Sequence, residues 1–392
     1  MNILFVYSSP IIAENGGVQR VTHVLSSHFE NKGYVVHFLS LSGGENLDVR
    51  QSILPIQTSA NNEANREFLR TFLANNQIRI IINQDGLNPD MTQLVLSCKS
   101  KGVKVLSVAH NSITGAIQHY RYSRRDLFKC NHLGWILPIF DCEPLKDALL
   151  WAFKRTHKSH FCYAIVKSDR YILLSERYMP ELEFVTDGFD KKKVIAICNP
   201  CTLTANKIDC AQKEKVLLYV GRIDMAQKRN DLLLEIWKNV SKIVKDWHLV
   251  IVGDGPDLEK LKAKSKKMQI KNVEFVGQAE PSEYYRKASL FAMTSAFEGL
   301  PLTLVEAMTH GVVPIAFDSF ASLQSIIDDG VNGKVIRPFN MNDFASNLIE
   351  LMNNNQLRDI LSSNCLIKAK YFSLDVIGQK WLDLFREISN ER

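Results

Sequence analysis

Glu298 and Glu306 stand with seven residues between them, in the stretch Ser295 to Glu306. Gly299 and Leu300 can turn backbone N–H groups toward a ligand there, and Pro301 stiffens the entry to a helix. A helix N-terminus favours a diphosphate, and a carboxylate beside it can hold ribose hydroxyls. A second reading of Glu306 is that it only favours the helix start electrostatically. Arg222 and Lys228 follow the strand-like run KVLLYVG. Each could bind phosphate oxygens, or each could be solvated surface charge. Gly16 and Gly17 would let backbone approach an anion closely. Their surroundings match neither GxGxxG nor a Walker A sequence, so they name no nucleotide, and a plain turn fits equally well. Gly253, Gly255, Val276 and His110 complete the set, each at the end of an expected strand.

That placement decides which elements matter. Strands are expected at Asn2 to Ser9, Tyr34 to Leu41, Ile78 to Asn83 and Val103 to Ala109. A helix follows Gly17, from about Val18 to Lys32. The same grammar restarts at Lys215, with strands at His248 to Val252, Val273 to Val276, Leu290 to Met293 and Val313 to Ala316. Helices are expected at Asp231 to Val244, Asp257 to Lys267, Ser282 to Lys287 and Thr303 to Thr309. Short apolar runs alternating with helical stretches signal parallel sheets built from βαβ units. Ligands of such sheets bind at the carboxyl ends of the strands, where every candidate residue lies. Asn199-Pro200 breaks the pattern between the two halves. Leu374 to Ile388 reads as an amphipathic helix returning to the first half.

The chain has 392 residues, which at about 150 per domain suggests two or three domains. It is 46% hydrophobic and 23% charged, which excludes disordered, collagen-like and disulfide-scaffold classes. The net charge of +6 suits phosphates or a membrane surface and is too small to imply nucleic acid. No apolar run reaches the roughly 18 residues of a membrane span. The start, MNILFVYSSP, reads as a buried strand and not as a signal peptide, so a cytoplasmic location is expected. Eight scattered cysteines are expected to be free thiols. Cys198 and Cys201 have CxxC spacing, but no second pair makes a zinc ribbon. Residues 118–163 mix Arg121, Arg124, Arg125, Lys154, Arg155 and Lys158 with Trp135, Phe140, Trp151 and Phe153. Two readings stay open: a packed helical insertion, or a segment lying on an anionic membrane.

The motifs GGVQR (16–20), VGRIDMAQK (220–228), VGDGP (252–256) and EGLPLTLVE (298–306) together resemble glycosyltransferase family 4. The resemblance runs from Met1 to about Asn353 and is strongest from Lys215 to Arg337. It implies the α/β GT-B architecture, two Rossmann-like parallel-sheet domains facing a central cleft. The corresponding bounds are 1–193 on the acceptor side and 199–370 for the nucleotide sugar, with the helix 373–392 packing back on the first domain. It further implies that Gly17 contacts the donor phosphates and that His110 lies near the transferred sugar. Arg222 and Lys228 would carry the diphosphate, Glu298 would face the sugar, and Glu306 the ribose. The catalytic set is then His110, Glu298, Arg222 and Lys228. Gly16, Gly253, Gly255, Val276, Gly299 and Leu300 join Gly17 and Glu306 in binding the nucleotide sugar. The family has a glycine after the lysine, where this chain has Arg229.

The resemblance implies a retaining transferase moving a hexosyl group from a UDP- or GDP-sugar to an acceptor hydroxyl, in capsule, O-antigen or exopolysaccharide assembly. The acceptor would be a glycan or lipid-linked oligosaccharide, with no cofactor, no metal and no nucleic-acid partner. The location would be cytoplasmic or peripheral on the inner membrane face. A GT-B epimerase, a phosphorylase and a non-catalytic sugar-nucleotide-binding subunit are the alternatives. The last would typically have lost one of His110, Arg222, Lys228, Glu298 or Glu306.

Overall fold

The computed structural model describes residues 1–119, 143–203 and 213–391. The chain forms two compact units. The first comprises residues 1–113, 151–202 and 372–392, and the second 114–150 and 203–371.

The first unit holds β1 (Asn2–Tyr7), β2 (Val35–Ser40), β3 (Gln51–Ile53), β4 (Ile78–Asn83), β5 (Lys104–Ala109), β6 (Arg170–Leu173) and β7 (Val194–Ala196). Their order is β3-β2-β1-β4-β5-β6-β7, with neighbouring strands parallel. Ile3 to Val6 and Ile80 to Ile82 are buried on both faces, as strands of a parallel sheet covered by helices must be. The helix Gly17–Asn31 follows β1 and buries Val21, Leu25 and Phe29. The second unit holds β8 (Glu214–Val220), β9 (His248–Val252), β10 (Val273–Gly277), β11 (Ala288–Met293), β12 (Val313–Phe317) and β13 (Lys334–Ile336). Their order is β10-β9-β8-β11-β12-β13, again parallel. Both orders follow the doubly wound pattern 3-2-1-4-5-6, whose reversal point opens a crevice at the strands' carboxyl ends. It falls between β1 and β4 in one unit and between β8 and β11 in the other.

The first sheet runs past the expected bound at 193, because β7 pairs with β6 through Ile172 and Ile195. Residues 114–119 and 143–150 also cluster with the second unit, where the sequence reading put them in the first. The helix Leu374–Asn390 belongs to the first unit and lies on the Gly17–Asn31 helix. The Phe385 ring sits 5.1 Å from Phe29. Gly378 leaves room for His28, since a Cβ there would stand 2.4 Å from the His28 Nε2. Arg170, on β6, ties the far end of the helix to Glu387 and Glu391.

Of the basic and aromatic segment 118–163, residues 120–142, with Arg121, Trp135 and Phe140, lie outside the described residues. Cys130, Cys142 and Cys210 do also. Glu143–Lys167 is one helix. Phe161, Ala164 and Ile165 are buried, while Trp151 remains 59% exposed beside the Arg155 guanidinium. Cys198 and Cys201 are free thiols, and burial pushes the Cys198 thiol up. No helix among the described residues is long and apolar enough to cross a membrane.

Candidate active site

The second unit brings most of the candidates together at the carboxyl edge of its sheet. The loops after β8, β9 and β10 are stitched to one another. The Gly221 N–H donates to Val252 O at 3.0 Å, Ile223 to Asp254 O at 2.8 Å, and Gly253 to Gly277 O at 2.7 Å. Gly253 and Gly255 have φ of 139° and 158°. A Cβ on Gly253 would stand 2.0 Å from the Gly221 oxygen, and one on Gly255 2.3 Å from the Ile223 oxygen. Loop-on-loop contact therefore demands both glycines, and the Gly253 N–H is already taken by protein. Their expected place among the nucleotide-binding groups has a structural cause that needs no ligand. Val276 is half-buried within β10, beside these loops.

The segment 222–231 is a tight turn leading into the helix Asn230–Ile243. Asp224 organises it. Its Oδ1 accepts from the Ala226 and Gln227 N–H groups at 3.0 and 3.1 Å, and its Oδ2 pairs with Arg222 at 2.6 Å. Arg222 is 58% exposed. Lys228 Nζ lies 2.6 Å from Glu298 Oε1, with the two side chains 20% and 7% exposed. Thus the cation after β8 and the carboxylate after β11 meet across the reversal point of the sheet.

Arg229 occupies the position of the family glycine, and its φ of 52° is the left-handed conformation that glycine adopts without strain. A bidentate pair with Asp231 secures it, Nε to Oδ1 at 3.0 Å and Nη2 to Oδ2 at 2.9 Å, both side chains buried. The Thr294 hydroxyl donates to the Lys228 and Arg229 carbonyls at 3.1 and 3.0 Å. Ala296 N donates to Gln227 O at 2.7 Å. The lysine turn is thereby fastened to the segment that carries Glu298.

Gly299, Leu300 and Pro301 lead into the helix Leu302–Thr309. Glu306 sits in its second turn and is fully buried. Its Oε2 accepts from Tyr285 Oη at 3.1 Å. The Tyr285 ring stacks on His310 at 5.5 Å, and burial lowers the His310 pKa. The expected ribose partner is thus held inside the protein by Tyr285, a residue that carries no motif in the sequence.

In the first unit, Gly16 caps the Gly17–Asn31 helix at its N-terminus. His110 follows β5. Its Nε2 lies 2.5 Å from Gln84 Oε1, Gln84 Nε2 donates to Thr22 Oγ1 at 2.9 Å, and Thr22 Oγ1 donates to Val18 O at 2.8 Å. Burial pushes the His110 pKa down to about 4. The segment after His110 is pinned by Glu181, which accepts from the Ser112 hydroxyl and from Ile113 N at 2.8 Å. Asp85, next to Gln84, accepts from Ser8 N at 2.5 Å, and burial raises its carboxyl pKa. Gln84, Thr22 and Asp85 were invisible in the sequence, since a polar residue after a strand carries no pattern of its own.

The family described as glycosyl transferases group 1 matches residues 203–365, the segment that carries these second-unit loops. Over that segment the chain is similar to the glycosyltransferases. It is 28% identical over 383 residues to the amylovoran biosynthesis glycosyltransferase AmsD of Erwinia amylovora, covering 95% of this chain and 97% of the relative. It is 28% identical over 205 residues to a lipopolysaccharide 1,6-galactosyltransferase of Salmonella typhimurium, covering 50% and 55%. Among solved structures, S. aureus TarM in complex with fondaparinux, alpha-GlcNAc-glycerol and UDP superposes with a TM-score of 0.74 at 16% identity, covering 98% and 99%. Anabaena Alr3699/HepE in complex with UDP-glucose gives 0.73 at 14%, covering 99% and 100%. These structural likenesses show the fold of the chain, α/β GT-B.

Proposed function

We propose that this glycosyltransferase moves a hexosyl group from a UDP- or GDP-sugar to the hydroxyl of a glycan or lipid-linked acceptor, with retention, in surface-polysaccharide assembly. The observation that carries the reading is the Lys228–Glu298 pair at the carboxyl edge of the second sheet, where doubly wound folds take their ligands. The relatives named for amylovoran and lipopolysaccharide synthesis support the pathway class. The neighbours solved with UDP favour a uridine donor.

The bond between the anomeric carbon and the β-phosphate oxygen breaks, a bond from that carbon to the acceptor oxygen forms, and the acceptor proton passes to the leaving phosphate. Negative charge grows on the diphosphate as the first bond lengthens. Lys228 and Arg222 would meet that charge, as preorganised cations do for other developing anions. Glu298, relieved of Lys228 by the phosphate, would accept from sugar hydroxyls and orient the ring. In this reading no divalent metal is needed, because two cations supply the charge.

We also place residues 118–163 against an anionic membrane surface, since Trp151 stays exposed beside Arg155 and basic segments with interfacial aromatic residues bind such surfaces.

The deciding experiment incubates the protein with UDP- and GDP-hexoses and a lipid-linked glycan, and reads the anomeric signal of the product by NMR. A glycoside with the donor's configuration, formed equally well in EDTA, is expected. An inverted product, an isomerised donor without transfer, or release of a sugar phosphate would each replace the proposal.

A further inference from the structure

We propose that Gln84 and Thr22 are positioning residues that hold His110 as its Nε2–H tautomer, leaving Nδ1 as a hydrogen-bond acceptor for a hydroxyl of the transferred sugar. The proposal rests on the reading of His110 as the residue beside that sugar.

The polarity of one hydrogen-bond chain leads to it. Val18 O is a carbonyl oxygen and can only accept, so the single Thr22 hydroxyl hydrogen points there at 2.8 Å. Thr22 Oγ1 then has only lone pairs for Gln84, and the amide must present its NH2 group, 2.9 Å away. That orientation turns Gln84 Oε1 toward His110 at 2.5 Å. An amide oxygen cannot donate, so His110 Nε2 carries the hydrogen. Burial keeps the ring neutral at pH 7, which leaves a lone pair on Nδ1. Nδ1 is itself buried and has no partner among the described residues.

The chain is well anchored. Gln84 is buried and its N–H donates to Val6 O at 2.9 Å. Thr22 is buried on the helix that Gly16 and Gly17 open. Three separate segments, the first helix, the end of β4 and the end of β5, converge on one imidazole. An unfilled buried acceptor is costly, and in native structures such an atom calls for a partner. A neutral donor suits it, and hydroxyls are what a sugar offers. His110 then reads a hydroxyl and does not act as a proton donor. A site built to bond a hydroxyl rejects an analogue lacking it far more strongly than a purely apolar pocket would.

The test labels histidine with ¹⁵N and reads two-bond proton–nitrogen spectra at pH 7, beside donor kinetics. The wild type is expected to show the Nε2–H pattern for His110. Thr22→Val removes the group that orients the amide, and Gln84→Leu removes the acceptor. Both are expected to give mixed tautomers and a kcat lowered roughly two- to tenfold, the worth of one neutral hydrogen bond, with UDP affinity unchanged. Gln84→Glu keeps an oxygen facing Nε2 but sets a buried carboxylate beside the ring, and is expected to protonate Nδ1 as well and to lower kcat with it, which a merely structural role would not predict. A wild-type Nδ1–H pattern overturns the assignment. So does a tautomer that moves in both variants while kcat and the discrimination between hexose and deoxyhexose donors stay the same. A protein that neither binds nor turns over any nucleotide sugar overturns the functional reading and the sugar hydroxyl with it, while the spectrum alone then decides the tautomer.

Discussion

At Arg229 an ordinary rule is broken and repaired within three residues. A non-glycine side chain at φ 52° costs roughly 1–2 kcal/mol. The buried bidentate pair with Asp231 holds it there. Arg229→Gly would relieve the backbone but leave the Asp231 carboxylate buried with Lys264 as its nearest cation among the described residues, at 3.9 Å. Stranding a buried charge costs about 3–5 kcal/mol, so a net loss of about 1–4 kcal/mol is expected in urea unfolding. Arg229→Gly with Asp231→Asn removes both charges and should recover most of it. A single variant as stable as wild type would show that the pair does not fasten the turn. Lys228 lends itself to the same reasoning with a different readout. Lys228→Ala should lower turnover about a hundred- to thousandfold, by analogy with the loss of one transition-state donor, and should weaken UDP binding. Glu298→Ala should reduce turnover while retaining UDP affinity, because its proposed contact is to the sugar and not the nucleotide. Isothermal titration with UDP separates the two. Equal loss of UDP affinity in both would refute that division.

At the scale of elements, the strands that the sequence revealed are those of five or more residues, β1, β4, β8 and β12 among them. β3, β7 and β13 have three residues each and β6 has four, too few for any period to register. Their identity comes from pairing with a neighbour already in place. The glycines at 253 and 255 were legible as important, but their packing role was not, because the contact they permit joins loops far apart in sequence. Gly253→Ala should therefore destabilise the second unit even without ligand, since its Cβ meets backbone that cannot swing aside and its φ is one that alanine rarely adopts. A melting temperature several degrees lower in the ligand-free protein is expected; a loss confined to UDP binding would restore the phosphate role. The basic and aromatic segment 118–163 makes a second element-scale prediction. The protein should float with anionic liposomes at low salt and release them at high salt, as screening shortens the reach of its cations. Trp151→Ala should weaken that flotation. Failure to float at low salt would mean the segment only packs.

The stability of the whole molecule should fall as the pH drops from 7 to 5, and the sign follows from its histidines. Burial is the largest cause lowering the pKa values of His28, His37, His110, His160 and His310 in the folded protein. Unfolded, each titrates near 6.5. Below that pH the unfolded chain takes up protons that the folded chain refuses, so each added proton favours unfolding. The loss begins near pH 6.5 and continues until the folded pKa is reached, about 4 for His110. Carboxylates act elsewhere. Asp48, held at about 2 with its hydrogen bond from Arg50 as the largest cause, contributes stability that is complete above its unfolded pKa and lost only at lower pH. Asp85 opposes the histidines, because its raised pKa lets the folded state bind a proton first, above the ordinary carboxylate range. With five histidines set against one such carboxyl among the described residues, the histidines prevail between pH 6.5 and 5. Urea unfolding at pH 7.0 and 5.0, at constant ionic strength, measures the difference. A lower midpoint at pH 5.0 is expected, and His310→Gln should lessen the drop by removing one refusing group at the Glu306–Tyr285 cluster. Equal midpoints, or a higher one at pH 5.0, would mean that these rings accept protons in the folded state, and with them the neutral His110 on which its acceptor role depends would be lost.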